Sequence, residues 1–190
     1  MSEQPDNLKI LTGRLLIATQ DGAEHFFNKT LVLITQHAEN TGAVGYVLNR
    51  PFNSLSPKEV FKHRDISRID QNLQLMWGGP IDLGHGVVLH TNKYQTPDTV
   101  NLGQQLALTE TQQILDDIAE QSGPEHFLIL VGKATWAPGQ LEEEIMNNMW
   151  IPIPVDYNLI FRTPDNKKWQ EALATLNIDS NLLAIQPGKA

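Results

Sequence analysis

Apolar residues in this chain come in short continuous runs separated by turn-forming residues, a pattern of strands more than of long helices. Leu15-Leu16-Ile17-Ala18, preceded by Arg14, forms one such run. Thr30-Leu31-Val32-Leu33-Ile34-Thr35 is the strongest. It is continuous, β-branched and polar at both ends, which suits a strand covered on both faces. Gly42-Ala43-Val44-Gly45-Tyr46-Val47-Leu48-Asn49 follows after a short turn-rich link, so a hairpin is expected between them. Further strands are expected over 73–77, 86–90 and 127–131, with a turn at Leu83-Gly84.

Helical periodicity is confined to four places. Ser56-Pro57-Lys58-Glu59 carries a start signal, with Ser as N-cap, Pro in the first turn and Glu closing a capping box. That helix is expected to reach about His63. Residues 109–119 place Ile114, Leu115, Ile118 and Ala119 on one stripe, with Thr109 as N-cap. A third helix is expected over 140–149 and a fourth over 167–176. Residues 1–7 are polar and read as a frayed tail. The whole, residues 1–190, reads as a single α+β domain with a mixed, largely antiparallel sheet flanked by helices.

Composition narrows the function classes. The chain has 190 residues, 41% of them hydrophobic, enough for one sizeable core. Its formal charge is −8, from 14 Lys and Arg against 22 Asp and Glu. Direct nucleic-acid binding is disfavoured, because phosphate contact needs clustered cations. The densest basic stretch, over 58–68, is diluted by Glu59 and Asp65 and reads as a solvated surface. With no cysteine, thiolate ligands, disulfides and cysteine nucleophiles are excluded. A polar amino terminus and the lack of any long apolar run point to the cytoplasm.

No phosphate loop, dinucleotide fingerprint, nucleophile elbow or His-Glu-x-x-His is present. The candidates are individual side chains. His37 and His90 end strands and would converge if those strand ends are neighbours. No shared metal is expected, and no cofactor. His85 and His90 are an odd number of residues apart, which puts them on opposite faces of a strand. Asn49 and Arg50 sit at a strand end, where sites tend to lie. Gly78, Gly79 and Pro80 read as a plain turn or, alternatively, as backbone amides brought close to an anion. The stretch 132–150 reads as an exposed loop bearing Trp136, then a helix opening with Gln140, Glu142, Glu143 and Glu144. The glutamates fit a helix start, where carboxylates meet the dipole; Trp136 is either a stacking platform or a core plug.

Four segments together carry a resemblance. They are Gly13-Arg14-Leu15-Leu16-Ile17-Ala18, His37 with Gly42-Ala43-Val44-Gly45 and Asn49-Arg50-Pro51, Gly78-Gly79-Pro80 with Leu89-His90, and Gly132 through Ile145. In this order they resemble the YqgE/AlgH family of small bacterial proteins. Two positions depart from that pattern. Lys133 stands where an aromatic or similar residue is usual, and Thr135 stands where the family has Gly, a strain if that position needs φ > 0. The resemblance implies one α+β domain and a regulatory role in gene expression, with no stated chemistry. The expected function is a binding or regulatory protein acting through an unknown protein or small-molecule partner. The alternatives are a hydrolase or transferase using His and Glu side chains with Arg50 as an anion clamp, and a nucleic-acid-binding transcriptional regulator. The weight falls against an enzyme.

Overall fold

A computed structural model describes residues 11–19, 25–54, 56–61, 70 and 73–177. The expected frayed tail, the end of the first helix near His63 and most of the basic stretch lie outside the described residues. Nine strands form the sheet: β1 (Leu15–Ala18), β2 (Leu31–Ala38), β3 (Gly42–Val47), β4 (Leu75–Trp77), β5 (Ile81–Thr91), β6 (Val100–Leu102), β7 (Leu106–Thr109), β8 (Phe127–Trp136) and β9 (Trp150–Ile153). Five helices accompany them: α1 (Pro57–Val60), α2 (Gln112–Ala119), α3 (Gln140–Met146), α4 (Tyr157–Phe161) and α5 (Asp165–Ala174). A 3-10 turn covers His25–Phe27.

The strand order is β6-β7-β5-β8-β3-β2-β1-β9, and β4 pairs with β8. Every pairing is antiparallel except β4 with β8. The α+β class follows directly. β8 organises the sheet. Its first half lies between β5 and β4, and its second half joins β3 through Ala134, Thr135 and Trp136.

Successive side chains of a strand point to opposite faces, and here both faces are covered. Leu15, Ile17, Leu31 and Leu33 join one cluster with Leu89, Leu130 and Trp169, under α4 and α5. Their neighbours Leu16, Val32 and Ile34 face the other way, against Trp136, Leu141 and Trp150. Farther along that second face, Val88 and Ile129 pack with Phe61, Ile114 and Leu115 of the α1 and α2 region. This double covering is why β1 and β2 read as unbroken apolar runs.

Several boundaries differ from the sequence reading. Residues 132–136 are not a loop: Gly132, at φ 71, bends the chain without ending β8, which runs to Trp136. Residues 83–84 lie within β5, whose register shifts between Ile81 and Gly86 instead of turning. Thr109 is not an N-cap. It closes β7, and Thr111 precedes α2. α3 ends at Met146, because Asn148 takes φ 58 and turns the chain into β9. The capping chemistry of α1 is as expected. Glu59 accepts hydrogen bonds from the Ser56 amide (2.9 Å) and hydroxyl (2.8 Å), which hold its carboxyl below the ordinary range.

Candidate functional site

The segment linking β8 to α3 builds a closed polar knot. Gly139 adopts the left-handed conformation (φ 80) and starts α3 immediately after β8. One turn into the helix, a single oxygen of Glu144 accepts the indole N–H of Trp136 (2.8 Å) and that of Trp150 (2.7 Å). Its other oxygen accepts from Gln140 Nε2 (2.8 Å), and Gln140 Oε1 in turn accepts the Ala137 amide (2.9 Å). Trp136 and Trp150 are only 5% and 3% exposed and pack edge to face. Glu144 thus pins α3 to β8 and β9, and both of its oxygens accept hydrogen bonds. A pocket of about 230 Å³ opens beside it, lined by Phe27, Pro80, Thr135, Gln140 and Met149 among others. Trp136 is buried in the core and also borders this pocket.

The glutamates divide differently from the sequence reading. Glu143 is exposed, whereas Glu142 is buried against the end of β2, where its Oε1 lies 2.9 Å from His37 Nε2. His37 Nδ1 accepts the Leu11 amide (3.3 Å), so Nε2 is assigned as the donor to Glu142. The pair ties α3 to the β2–β3 hairpin.

His90 does not meet His37. β8 and β3 lie between their strands. The register sets His90 level with Phe127 and His37, through Ala43, level with Trp136. That is about 30 Å along an extended strand. His90 is fully buried, with Nδ1–H directed at the Thr91 carbonyl (2.9 Å) and Nε2 accepting from the Thr109 hydroxyl (2.9 Å). Burial lowers its pKa, partly opposed by the Thr91 carbonyl. A chain of hydroxyls through Thr109, Thr99 and Thr96 completes a structural network. His85, five positions earlier, is exposed. Among the described residues no group of three or more His, Cys, Asp or Glu is placed to hold a metal ion.

Gly78 and Gly79 lie flat on β8. A methyl group at Gly79 would overlap the Lys133 carbonyl, and the Gly78 amide already donates to Val131 (2.8 Å). Their glycine character serves close backbone packing. Thr135 lies in extended β8 opposite Val44, outside the positive-φ positions, with its side chain exposed. The expected strain is absent there.

Asn49 and Arg50 border a second, larger cavity. Asn49 Oδ1 accepts the Leu31 amide and its Nδ2 donates to the Lys29 carbonyl, both at 2.9 Å, which fixes the turn before β2. Arg50 donates from one terminal nitrogen to the Asn28 carbonyl (2.9 Å) and stacks over Phe26 (5.4 Å). A groove of about 530 Å³ runs from here to α5, lined by Lys29, Arg50, Trp77, Asp165, Asn166 and Trp169 among others. Lys29, at φ 55, holds its ammonium 5.7 Å from the Trp169 ring.

Three buried side-chain polar atoms lack a hydrogen-bond partner among the described residues: Arg50 Nε, Trp77 Nε1 and Thr111 Oγ1. Two of the three sit together, since the Trp77 amide bonds the Arg50 carbonyl (2.7 Å) and Phe26 touches both side chains. An unsatisfied buried donor costs about 1–3 kcal/mol. Partial burial also lowers the Arg50 pKa. Phe27, next in the 3-10 turn, reaches Trp136 and Trp150, so this turn separates the groove from the Glu144 knot.

The candidates therefore fall into separate groups. Pro80, Trp136, Gln140 and Glu144 come together. Asn49 and Arg50 share the groove. His90 and Glu143 stand apart from both, while His37 is paired with Glu142, two residues before Glu144 on α3. Sequence reasoning did not single out Lys29, Trp77, Trp150 and Trp169, and it did not separate the buried Glu142 from its neighbours. The four tryptophans are scattered from 77 to 169, and only the tertiary fold shows which indole lacks an acceptor.

A family model described as AlgH-like matches residues 15–181. A UPF0301 protein of Gluconobacter oxydans is 34% identical over 183 residues, covering 95% of this chain and 98% of its own. A UPF0301 protein of Coxiella burnetii is likewise 34% identical, covering 95% and 97%. The solution structure of the AlgH protein from Pseudomonas aeruginosa is similar with a TM-score of 0.76 and 33% identity, over 100% of both chains. A Corynebacterium diphtheriae protein solved by X-ray crystallography shares the fold, with a TM-score of 0.74 at 19% identity.

Proposed function

This chain belongs to the AlgH-like family, and from that premise we propose that it is a binding protein, not a catalyst, acting through a small molecule held in the groove at Arg50. The observation that carries this reading is the pair of buried donors without acceptors, Arg50 Nε and Trp77 Nε1, in two residues that line a roughly 530 Å³ groove. Folded proteins rarely leave buried donors unmatched, so a clustered pair beside a cavity marks a place where a polar partner binds. The acid–base candidates elsewhere support the same reading. Glu144 accepts three hydrogen bonds, Glu142 pairs with His37, and His90 is hydrogen-bonded to Thr91 and Thr109. None stands free beside a nucleophile, as a general base requires. Any regulatory role then runs through the ligand and a protein partner, since a chain of net charge −8 is on balance repelled by a nucleic-acid backbone.

Thermal denaturation against a panel of small metabolites tests the proposal. A ligand that binds only the folded state raises the melting temperature, because it stabilises that state by RT ln(1 + L/Kd), with L the free ligand concentration. At least one compound is expected to stabilise the natural protein and to lose that effect in Arg50→Gln. Stabilisation that survives in Arg50→Gln, or none across the panel, refutes the assignment.

A further inference from the structure

We infer that the ligand of the Arg50 groove is anionic, presenting a phosphate or carboxylate group to Arg50 and Lys29. The inference rests on the groove being the binding site and adds the chemical class of what enters it. Charge is the first argument. The chain as a whole carries −8, yet the groove brings together two cations, Lys29 and Arg50. The one carboxylate on its lining, Asp165, is already matched by Lys168, whose Nζ lies 2.8 Å from Asp165 Oδ1. Lys168 is itself buried and also donates to the Leu48 carbonyl (3.0 Å), so its charge is committed there. A cationic recess on an acidic protein concentrates anions locally.

Donor inventory is the second argument. Every unmatched buried side-chain atom at the groove is a donor, and a guanidinium has no acceptor capacity. Arg50 spends one terminal nitrogen on Asn28 and leaves Nε unmatched. Guanidinium edges pair with the two oxygens of a carboxylate or phosphate in a fixed fork. The first turn of α5 supplies a third element. Asp165 and Asn166 line the groove, and the opening amides of a ten-residue helix have no acceptor within it. A neutral acceptor would satisfy the donors but would leave the two cations uncompensated.

The indole N–H signals of a ¹⁵N-labelled sample test this in one spectrum. The four tryptophans occupy distinct settings: Trp136 and Trp150 on Glu144, Trp169 on the Ala18 carbonyl, and Trp77 with no acceptor. Titration with inorganic phosphate, with succinate and with glucose as the neutral probe is followed at each, Trp77→Phe identifying its signal. The expected result is a saturable shift of Trp77 with phosphate or succinate, while the Glu144-bound pair stays still. Lys29→Gln, at an exposed position that leaves the fold intact, is expected to weaken that binding about tenfold, the effect of one charge-assisted contact. If glucose alone moves Trp77, the anion assignment is overturned and the groove stands. If no probe moves it, both fall. Equal shifts of all four indoles, or unchanged affinity in Lys29→Gln, also overturn the assignment.

Discussion

Replacing Glu144 separates its proposed structural role from a chemical one. One carboxylate oxygen receives both buried indoles, at 2.8 and 2.7 Å, and the other receives Gln140. Glu144→Ala leaves Trp136 Nε1 and Trp150 Nε1 without an acceptor. Hydrogen bonds to a charged group contribute about 1.5–3 kcal/mol each. Glu144 is half-buried, so water can reach part of the gap, and the Gln140 bond lies at the surface. The expected loss is therefore about 3 kcal/mol, a large share of a typical domain stability of roughly 5–15 kcal/mol. Glu144→Gln keeps one oxygen, and a single oxygen is what both indoles share. Its cost should stay near 1 kcal/mol, the difference between charged and neutral acceptors. Urea unfolding followed by circular dichroism, with the slope held constant, reports both values. A Glu144→Ala protein within about 0.5 kcal/mol of the natural one refutes the knot. So does a Glu144→Gln protein as unstable as the alanine variant.

Four further outcomes follow from the same structure. Gly42→Ala should destabilise by 3 kcal/mol or more, roughly, because the site has φ 77 and its methyl group would overlap the Trp136 carbonyl; Gly84→Ala, facing open space, should leave the urea midpoint unchanged. Asn49→Ala should cost about 2 kcal/mol, since it removes two bonds that fix the turn before β2, and should also weaken ligand binding in the adjacent groove. Burial depresses the His90 pKa, so the unfolded chain binds more protons than the folded one just below about pH 6.5, and stability should fall as pH drops through that value; urea midpoints from pH 7.5 to 5 should show a slope that is shallower in His90→Gln. Thr135→Gly should destabilise by about 0.5–1 kcal/mol, because the position is an ordinary extended strand residue.

Residues buried on both faces were the most legible part of this fold. β1, β2, β3 and the first half of β8 stand out because apolar runs bounded by turn residues have few other solutions. The α1 start was equally clear, since Ser56, Pro57 and Glu59 satisfy one another locally. β6, β7 and β9 were not legible. Each is three or four residues long and owes its conformation to a neighbour strand rather than to its own pattern. Gly132 misled in a specific way. A glycine at φ 71 reads as a break, yet here it lets β8 pass closely by Gly79 and continue.

The site was legible only in part. Arg50 and Asn49 were recognisable as polar residues at a strand end, and Glu144 as part of an acidic helix start. Which glutamate is buried depends on how α3 meets β2, and that is a tertiary fact. Lys29, Trp77 and Trp169 come from three distant parts of the chain, so no local pattern links them to Arg50. The segment 132–145 that most strongly suggests a site in the sequence is instead a corner tied down by hydrogen bonds through Gln140, Glu142 and Glu144.

A backbone amide shift map, recorded while a stabilising ligand is titrated into the ¹⁵N-labelled protein, tests the central claim most directly. The account predicts saturable changes gathered on Asn28, Lys29, Arg50, Trp77 and Asn166, around one groove. Changes gathered instead on Thr135, Gln140 and Glu144, with the groove residues unmoved, would contradict it.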